Sequence, residues 1–132
     1  MPSIFSRIVS GDIPSYKVAE NDNFLAFLDV MPLVPGHVLV IPKKEVDYIF
    51  DLNAEEYQDL WLFAQQVAKG LKQAIPCKRV GIAVIGLEVP HAHIHLVPMN
   101  EVGDINFTRP KMSPTAEELG AVAEKIRTYT AA

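Results

Sequence analysis

"HAHIHL", residues 91–96, carries three of the chain's four histidines at every second position, with Ala92, Ile94 and Leu96 between them. Alternate side chains of an extended strand share a face. His91, His93 and His95 are therefore predicted to point one way and the apolar residues the other. Lining a strand face with imidazoles has little packing value, so three in register point to chemistry rather than to core. Two chemistries use such an array. A zinc ion takes three imidazoles and keeps a fourth position open. Alternatively, one neutral imidazole attacks while its neighbours bind the anionic group under attack. Histidines at i, i+2 fan along one line, whereas three-His zinc sites usually draw a ligand from another element, and only Glu88 is near as a supporting carboxylate. The nucleophilic reading needs a further donor, and His37 in "PGHVLVIPK" is placed to supply it.

Around that strand the chain reads as a single domain. Its 132 residues, 49% hydrophobic and 21% charged, suffice for a core without disulfides or structural metal. "SIFSRIVSGDIP" carries a short helical face (Ile4, Phe5, Ile8, Val9) stopped by Gly11 and Pro14. "NFLAFLDV" (23–30) and "HVLVIP" (37–42) read as strands covered on both faces, joined by the turn-forming "MPLVPG". The strongest helix is "NAEEYQDLWLFAQQVAKGLKQAI", with Asn53 and Glu56 spaced for a reciprocal cap. Tyr57, Leu60, Trp61, Ala64, Val67, Ala68 and Leu71 form its buried face, so the aromatics there are read as packing residues. "RVGIAVIG" (79–86) and "HAHIHLVP" (91–98) follow as strands. A last helix starts near "SPTAEEL", burying Leu119, Val122, Ala123 and Ile126, and an extra strand is expected near "SYKVAE". This order predicts an α+β domain on a mainly antiparallel sheet of about five strands, with a long central helix and a C-terminal helix.

Net charge is −4, which provides no basic field for a nucleic-acid backbone. The single cysteine, Cys77, excludes an internal disulfide or a Cys-x-x-Cys pair and is read as a small semi-buried residue after the helix. Neither a secretory leader nor a bilayer-spanning run is found. The expectation is a cytoplasmic protein that binds neither nucleic acid nor membrane.

"HAHIHLV" resembles the His-φ-His-φ-His-φ-φ signature of the histidine triad (HIT) superfamily, and "PGHVLVIPK" its other characteristic segment. "SIFSRIVSGDIP" and "FLAFLDVMPLVPGH" are similar to the start of the Hint-type branch. The resemblance covers about residues 3–98, leaving 99–132 as a C-terminal extension. It implies a homodimer that hydrolyses or transfers purine nucleotides at the α-phosphate, with no metal or organic cofactor. His93 would attack phosphorus to form a nucleotidyl-histidine. The backbone carbonyl of His91 would hold its tautomer, His95 would donate to a non-bridging oxygen, and His37 would support the cluster. Asp29 would accept from the ribose hydroxyls, and Ile4, Phe5, Ile8, Phe27, Leu28 and Val30 would sandwich the base.

The pattern breaks before the triad, where family members carry Gly-Gln-Ser-Val or Gly-Gln-Thr-Val. Here Leu87 and Glu88 stand in the places of the glutamine and the hydroxyl. Glu88 would then serve as a general acid, or point away while Asn100, Arg109 or Lys111 contact phosphate, or leave a site that binds nucleotides and turns them over poorly. Zinc-containing members have an N-terminal Cys-x-x-Cys and a histidine after "IPK". Here the cysteines are absent and Glu45 takes the histidine's place, so no structural zinc is expected. The rival readings are a nucleotide- or partner-binding module with little turnover and, more weakly, a three-His metal-dependent hydrolase.

Overall fold

In the computed structural model, which describes residues 2–130, the alternation of the apolar strands decides the architecture. Helix α1 (Ile4–Val9) is followed by β1 (Lys17–Glu20), β2 (Phe24–Leu28), β3 (Val38–Pro42), α2 (Ala54–Ala74), β4 (Arg79–Ala83), β5 (Ile94–Met99) and α3 (Ala116–Thr130). The sheet has five strands in the order β1-β2-β3-β5-β4, and every pairing is antiparallel. This is the α+β arrangement expected, including the extra strand near "SYKVAE".

All residues of β2 and β3 are buried, because both sheet faces are covered. Phe24, Ala26, Leu28, Val38, Val40, Ile94 and Leu96 point towards α2 and α3, where they meet Leu60, Phe63, Val67, Leu71, Leu119 and Ile126. Leu25, Phe27, Leu39 and Ile41 point the other way and pack with Phe5 and Ile8 of α1.

Helix α2 starts at the reciprocal Asn53/Glu56 cap. Trp61 and Tyr57 pack half-buried against the core, although the Trp61 indole N–H is buried without a partner among the described residues. At Gly70 a Cβ would come within 2.8 Å of the Tyr129 carbonyl oxygen, so glycine lets α3 cross close to α2. Thr115 and Glu118 exchange hydrogen bonds at the start of α3, which buries Leu119, Ala123 and Ile126 as its spacing predicts, while Val122, expected with them, is half-buried. Cys77 is half-buried just beyond α2. Among the described residues no helix is long and apolar enough to cross a membrane.

The strands are shorter than expected: β2 is Phe24–Leu28 rather than 23–30 and β3 is Val38–Pro42 rather than 37–42, and β4 and β5 are cut back as well. β4 stops at Ala83, opposite His95, and the chain then turns through Gly86 at φ +73, leaving Val84 and Ile85 exposed. β5 begins at Ile94, so His91 and His93 precede the ladder. β3 ends at Pro42, and beyond it the Ala92 N–H bonds to the Val46 carbonyl in the loop instead. The alternation of sides nevertheless continues through residues 91–93: Ala92 joins the helix-side core, while His91 and His93 pack against Phe5.

Candidate active site

The four histidines form two short hydrogen-bonded chains, and the fixed donors and acceptors around them determine each ring's tautomer. His91 Nε2 lies 2.8 Å from the Pro42 carbonyl oxygen. A carbonyl only accepts, so Nε2 carries the proton and Nδ1 is left to accept from Ser3 Oγ at 2.8 Å. His93 Nδ1 lies 2.7 Å from the His91 carbonyl oxygen. By the same logic Nδ1 is protonated, and in the neutral ring Nε2 keeps its lone pair.

The second chain starts at a backbone amide. The Leu33 N–H donates to His37 Nδ1 at 3.1 Å. His37 Nε2 must then carry the proton and donate to His95 Nδ1, 3.0 Å away. His95 is left with a protonated Nε2, a donor available to an incoming anion. The loop supplying Leu33 turns through Gly36 at φ +89, where a Cβ would also meet Ile75 at 2.9 Å; glycine suits both demands.

These tautomers require neutral rings, and burial favours them. Burial, helped by the charge of Lys111 and then His93, pushes His37 down to about 4. Burial, followed by the influence of His37, His93 and Lys111, pushes His95 down to about 3. Burial also lowers His91, against the opposing pull of the Pro42 carbonyl and the Glu45 charge. Asp29 is shifted upward, chiefly by burial. One of its oxygens caps the Met31 N–H at 2.9 Å, and the other lies 3.9 Å from His37 Nε2.

The residues expected to sandwich a base are not all brought together. Phe5, Ile8 and Phe27 pack together, with the Phe5 ring centroid 5.1 Å from that of His93. Ile4 and Val30 are exposed. Leu28 is one residue out of phase with Phe27, and its side chain enters the helix-side core. Its side chain is therefore not brought to this group.

The structure also sorts the suggested phosphate contacts. Asn100 Oδ1 accepts from the Lys78 N–H at 3.0 Å, and Arg109 Nη1 donates to the Gly103 carbonyl. The first ties the end of β5 to the residue before β4, the second stays within the turn after β5, and neither bond involves a histidine. Glu88 is exposed, near enough for its charge to act on Asp29, and Lys111 acts on Asp29, His37 and His95. Sequence reasoning missed Phe107, whose ring packs edge-on against His95 at 4.7 Å. A lone aromatic within the polar "NFTRPK" was the available signal. On another side of His93 lies a cleft of about 360 Å³, walled by Tyr48, Phe50, Tyr57, Trp61 and Ile85.

One ligand atom each of Asp29, His37 and His95 lies within 4.8 Å of the others, a spacing that admits a cation. The hydrogen bonds oppose one. A metal on His37 Nε2 would require a protonated Nδ1, which would face the Leu33 N–H donor head-on. The donor set therefore does not fit a metal.

Comparison with known proteins agrees with this geometry. Residues 10–102 match the HIT domain model. The chain is 34% identical over 128 residues to the adenosine 5'-monophosphoramidase hnt1 of Schizosaccharomyces pombe, covering 96% of each. It is 40% identical over 105 residues to a HIT-like protein of Mycoplasma genitalium, covering 76% of this chain and 74% of that one. The crystal structure of a Hit-like protein from Bartonella henselae superposes with a TM-score of 0.85 at 32% identity, covering 96% of this chain and 95% of that one. With its motif, fold and relatives in agreement, the chain belongs to the HIT family.

Proposed function

We propose that the protein is a nucleotide hydrolase or transferase acting at the α-phosphate of a purine nucleoside phosphoramidate or dinucleoside polyphosphate, through a covalent intermediate on His93. The observation that carries this reading is the 2.7 Å contact between His93 Nδ1 and the His91 carbonyl. In the neutral ring it leaves Nε2 unprotonated, on a residue that is still 7% exposed. In the first step Nε2 attacks the α-phosphorus. A P–N bond forms, the bond to the leaving group breaks, and the leaving amine or phosphate departs with that electron pair and gains its proton from the medium. Water then attacks the same phosphorus and releases a proton to the medium, the P–N bond to His93 breaks with its electron pair returning to Nε2, and the ring, still protonated at Nδ1, is back in its starting tautomer. His95 Nε2–H donates to a non-bridging oxygen as charge builds there. The free oxygen of Asp29 accepts from the ribose, and Phe5, Ile8 and Phe27 offer the base an apolar wall. Monophosphoramidase activity in the S. pombe relative supports the phosphoramidate as first substrate to assay.

The test is turnover of an adenosine phosphoramidate, with acid-quenched protein examined by mass spectrometry for an added nucleotidyl group. Activity should survive a chelator, and His93→Ala should abolish both turnover and adduct. Loss of activity to chelator would point to metal. Tight nucleotide binding without turnover across several leaving groups would favour a binding module, for which the exposed Leu87 and Glu88 are the motivation. We assign the working form as a cytoplasmic homodimer. β4 is an edge strand, and Ile82, Val84 and Ile85 are exposed on or beside it; light scattering that gives a monomer at micromolar concentration would overturn the dimer.

A further inference from the structure

A second hydrogen-bonded cluster lies at the His91 end of the triad, and the reaction outlined above does not use it directly. Glu45 follows β3 by three residues. Its Oε1 accepts from the Ser3 backbone N–H at 2.6 Å and from the Ser6 hydroxyl at 2.6 Å. Ser3 Oγ accepts from the Ser6 N–H at 3.0 Å and so caps α1. The same Ser3 oxygen is 2.8 Å from His91 Nδ1, and Ser6 Oγ is 3.4 Å from it.

The protons can be counted. His91 Nε2–H is committed to Pro42, so Nδ1 can only accept. A serine hydroxyl has one proton to give. That of Ser3 goes to His91, and that of Ser6 goes to Glu45, whose Oε1 accepts twice, which favours the ionised form. The two hydrogen bonds, that from the Ser3 N–H foremost, hold the Glu45 carboxyl below its ordinary range. Each proton in the cluster has one acceptor, and the arrangement has one direction.

Its position gives it a consequence for the nucleophile. β5 begins at Ile94, so no ladder holds the His91 peptide. The backbone there is tied by the His91 N–H to the Val89 carbonyl and by the Ala92 N–H to Val46. The His91 ring, fully buried, is pinned between Pro42 and Ser3. The carbonyl that orients His93 belongs to this residue.

We propose that Ser3, Ser6 and Glu45 are positioning residues for the triad: together they hold the His91 ring in one tautomer and one place, and thereby aim the His91 carbonyl at His93 Nδ1. The proposal rests on the reading of His93 as nucleophile. Without the Ser3 hydroxyl, a buried acceptor on His91 loses its donor, and the ring is free to flip or to protonate at Nδ1. The His91–His93 contact then loosens.

The experiment is a set of three variants, Ser3→Ala, Ser3→Thr and Glu45→Gln, each followed in three ways. Thermal unfolding identifies variants that are folded at the assay temperature. Ring ¹⁵N NMR shifts report the tautomers of His91 and His93 without any need for activity. Steady-state kinetics on an adenosine phosphoramidate separates kcat from KM. Ser3→Ala should blur the single tautomer of both rings and lower kcat about tenfold to a hundredfold, the range for a lost buried hydrogen bond, with KM within about twofold. Ser3→Thr keeps the hydroxyl and should restore both readouts, whereas merely losing the helix cap would lower thermal stability and leave the rings unchanged. Glu45→Gln should fall between the two. Should Ser3→Ala not fold, Glu45→Gln against Ser3→Thr decides the matter. Unaltered ring tautomers and unaltered kcat in the folded variants would overturn the proposal. Ordered tautomers in a wild type that lacks turnover would overturn the nucleophile reading instead and leave the clasp standing as a structural device.

Discussion

β2, β3 and β5 send alternate side chains to opposite faces of one sheet, and the two faces are closed in different ways. On the helix side, α2 and α3 lay Leu60, Leu71 and Ile126 on Ala26, Val40, Ile94 and Leu96, and shape and apolar area hold them together. On the other side, α1 and the strap around Phe107 cover four buried imidazoles, and there hydrogen bonds of fixed direction hold the groups in place. Burial on the first face contributes stability with little regard to which proton sits where. On the second, burial raises the cost of any wrong protonation state. Neighbouring residues in one short segment thus answer to different physical rules: Ile94 to packing, His93 and His95 to hydrogen-bond logic.

The largest expected effect falls on the polar face alone. His93→Ala should reduce turnover by at least about 10⁴-fold, as removal of a nucleophile does, with little change in melting temperature; residual turnover near wild type would break the proposed division of labour. On the opposite face, Ile94→Ala should cost about 2–5 kcal/mol of stability, the usual range for a buried large-to-small change, seen as a lower denaturation midpoint. The same variant should keep its histidine ring shifts and its kcat per folded molecule. If those change together with stability, the two faces are not separable.

Acid should act on the polar face next. His37 and His95 have folded-state values depressed to about 4 and about 3 from an ordinary 6.5. Between those limits the unfolded chain binds more protons than the folded one, so stability rises with pH. It is therefore complete above about pH 6.5 and lost as pH falls through about 4. A tenfold weaker hold on a proton is worth about 1.4 kcal/mol, so between pH 6.5 and pH 4.5 the loss is on the order of 3 kcal/mol for each ring. Urea unfolding at pH 7 and pH 4.5 measures it, and His37→Asn should flatten the slope. The smallest effect is at the helix side's periphery: Asn53→Ala should cost about 1 kcal/mol through loss of the α2 cap, with no change in the pH dependence.

Much of this division was legible in the chain. The period-two pattern of "HAHIHL" assigned sides correctly because side-chain alternation is local geometry, and it held even where the ladder did not. The cap at Asn53 and the apolar rhythm of α2 and α3 were equally local. Strand ends were not, since β4 and β5 stop and start where a partner is available. Phe27 and Leu28 show the same limit at the site: their parity was readable, and it separates them, yet both stand in one family segment. Phe107, Asn100 and Arg109 lie in a stretch without periodicity, so their directions depended on what the loop packed against.

The sequence by itself determined the histidine face and the antiparallel α+β plan, because each rests on residue type and short-range spacing, and its motifs determined the family, whose resemblance implies His93 as the candidate nucleophile. Only the tertiary structure decided the tautomers of His37, His91 and His95, because those depend on which fixed donor or acceptor faces each ring. Pro42 lies 49 residues from His91, Ser3 88 residues, and His37 58 residues from His95. No local pattern encodes those meetings; the fold brings the groups together, and burial then leaves each proton one place to be.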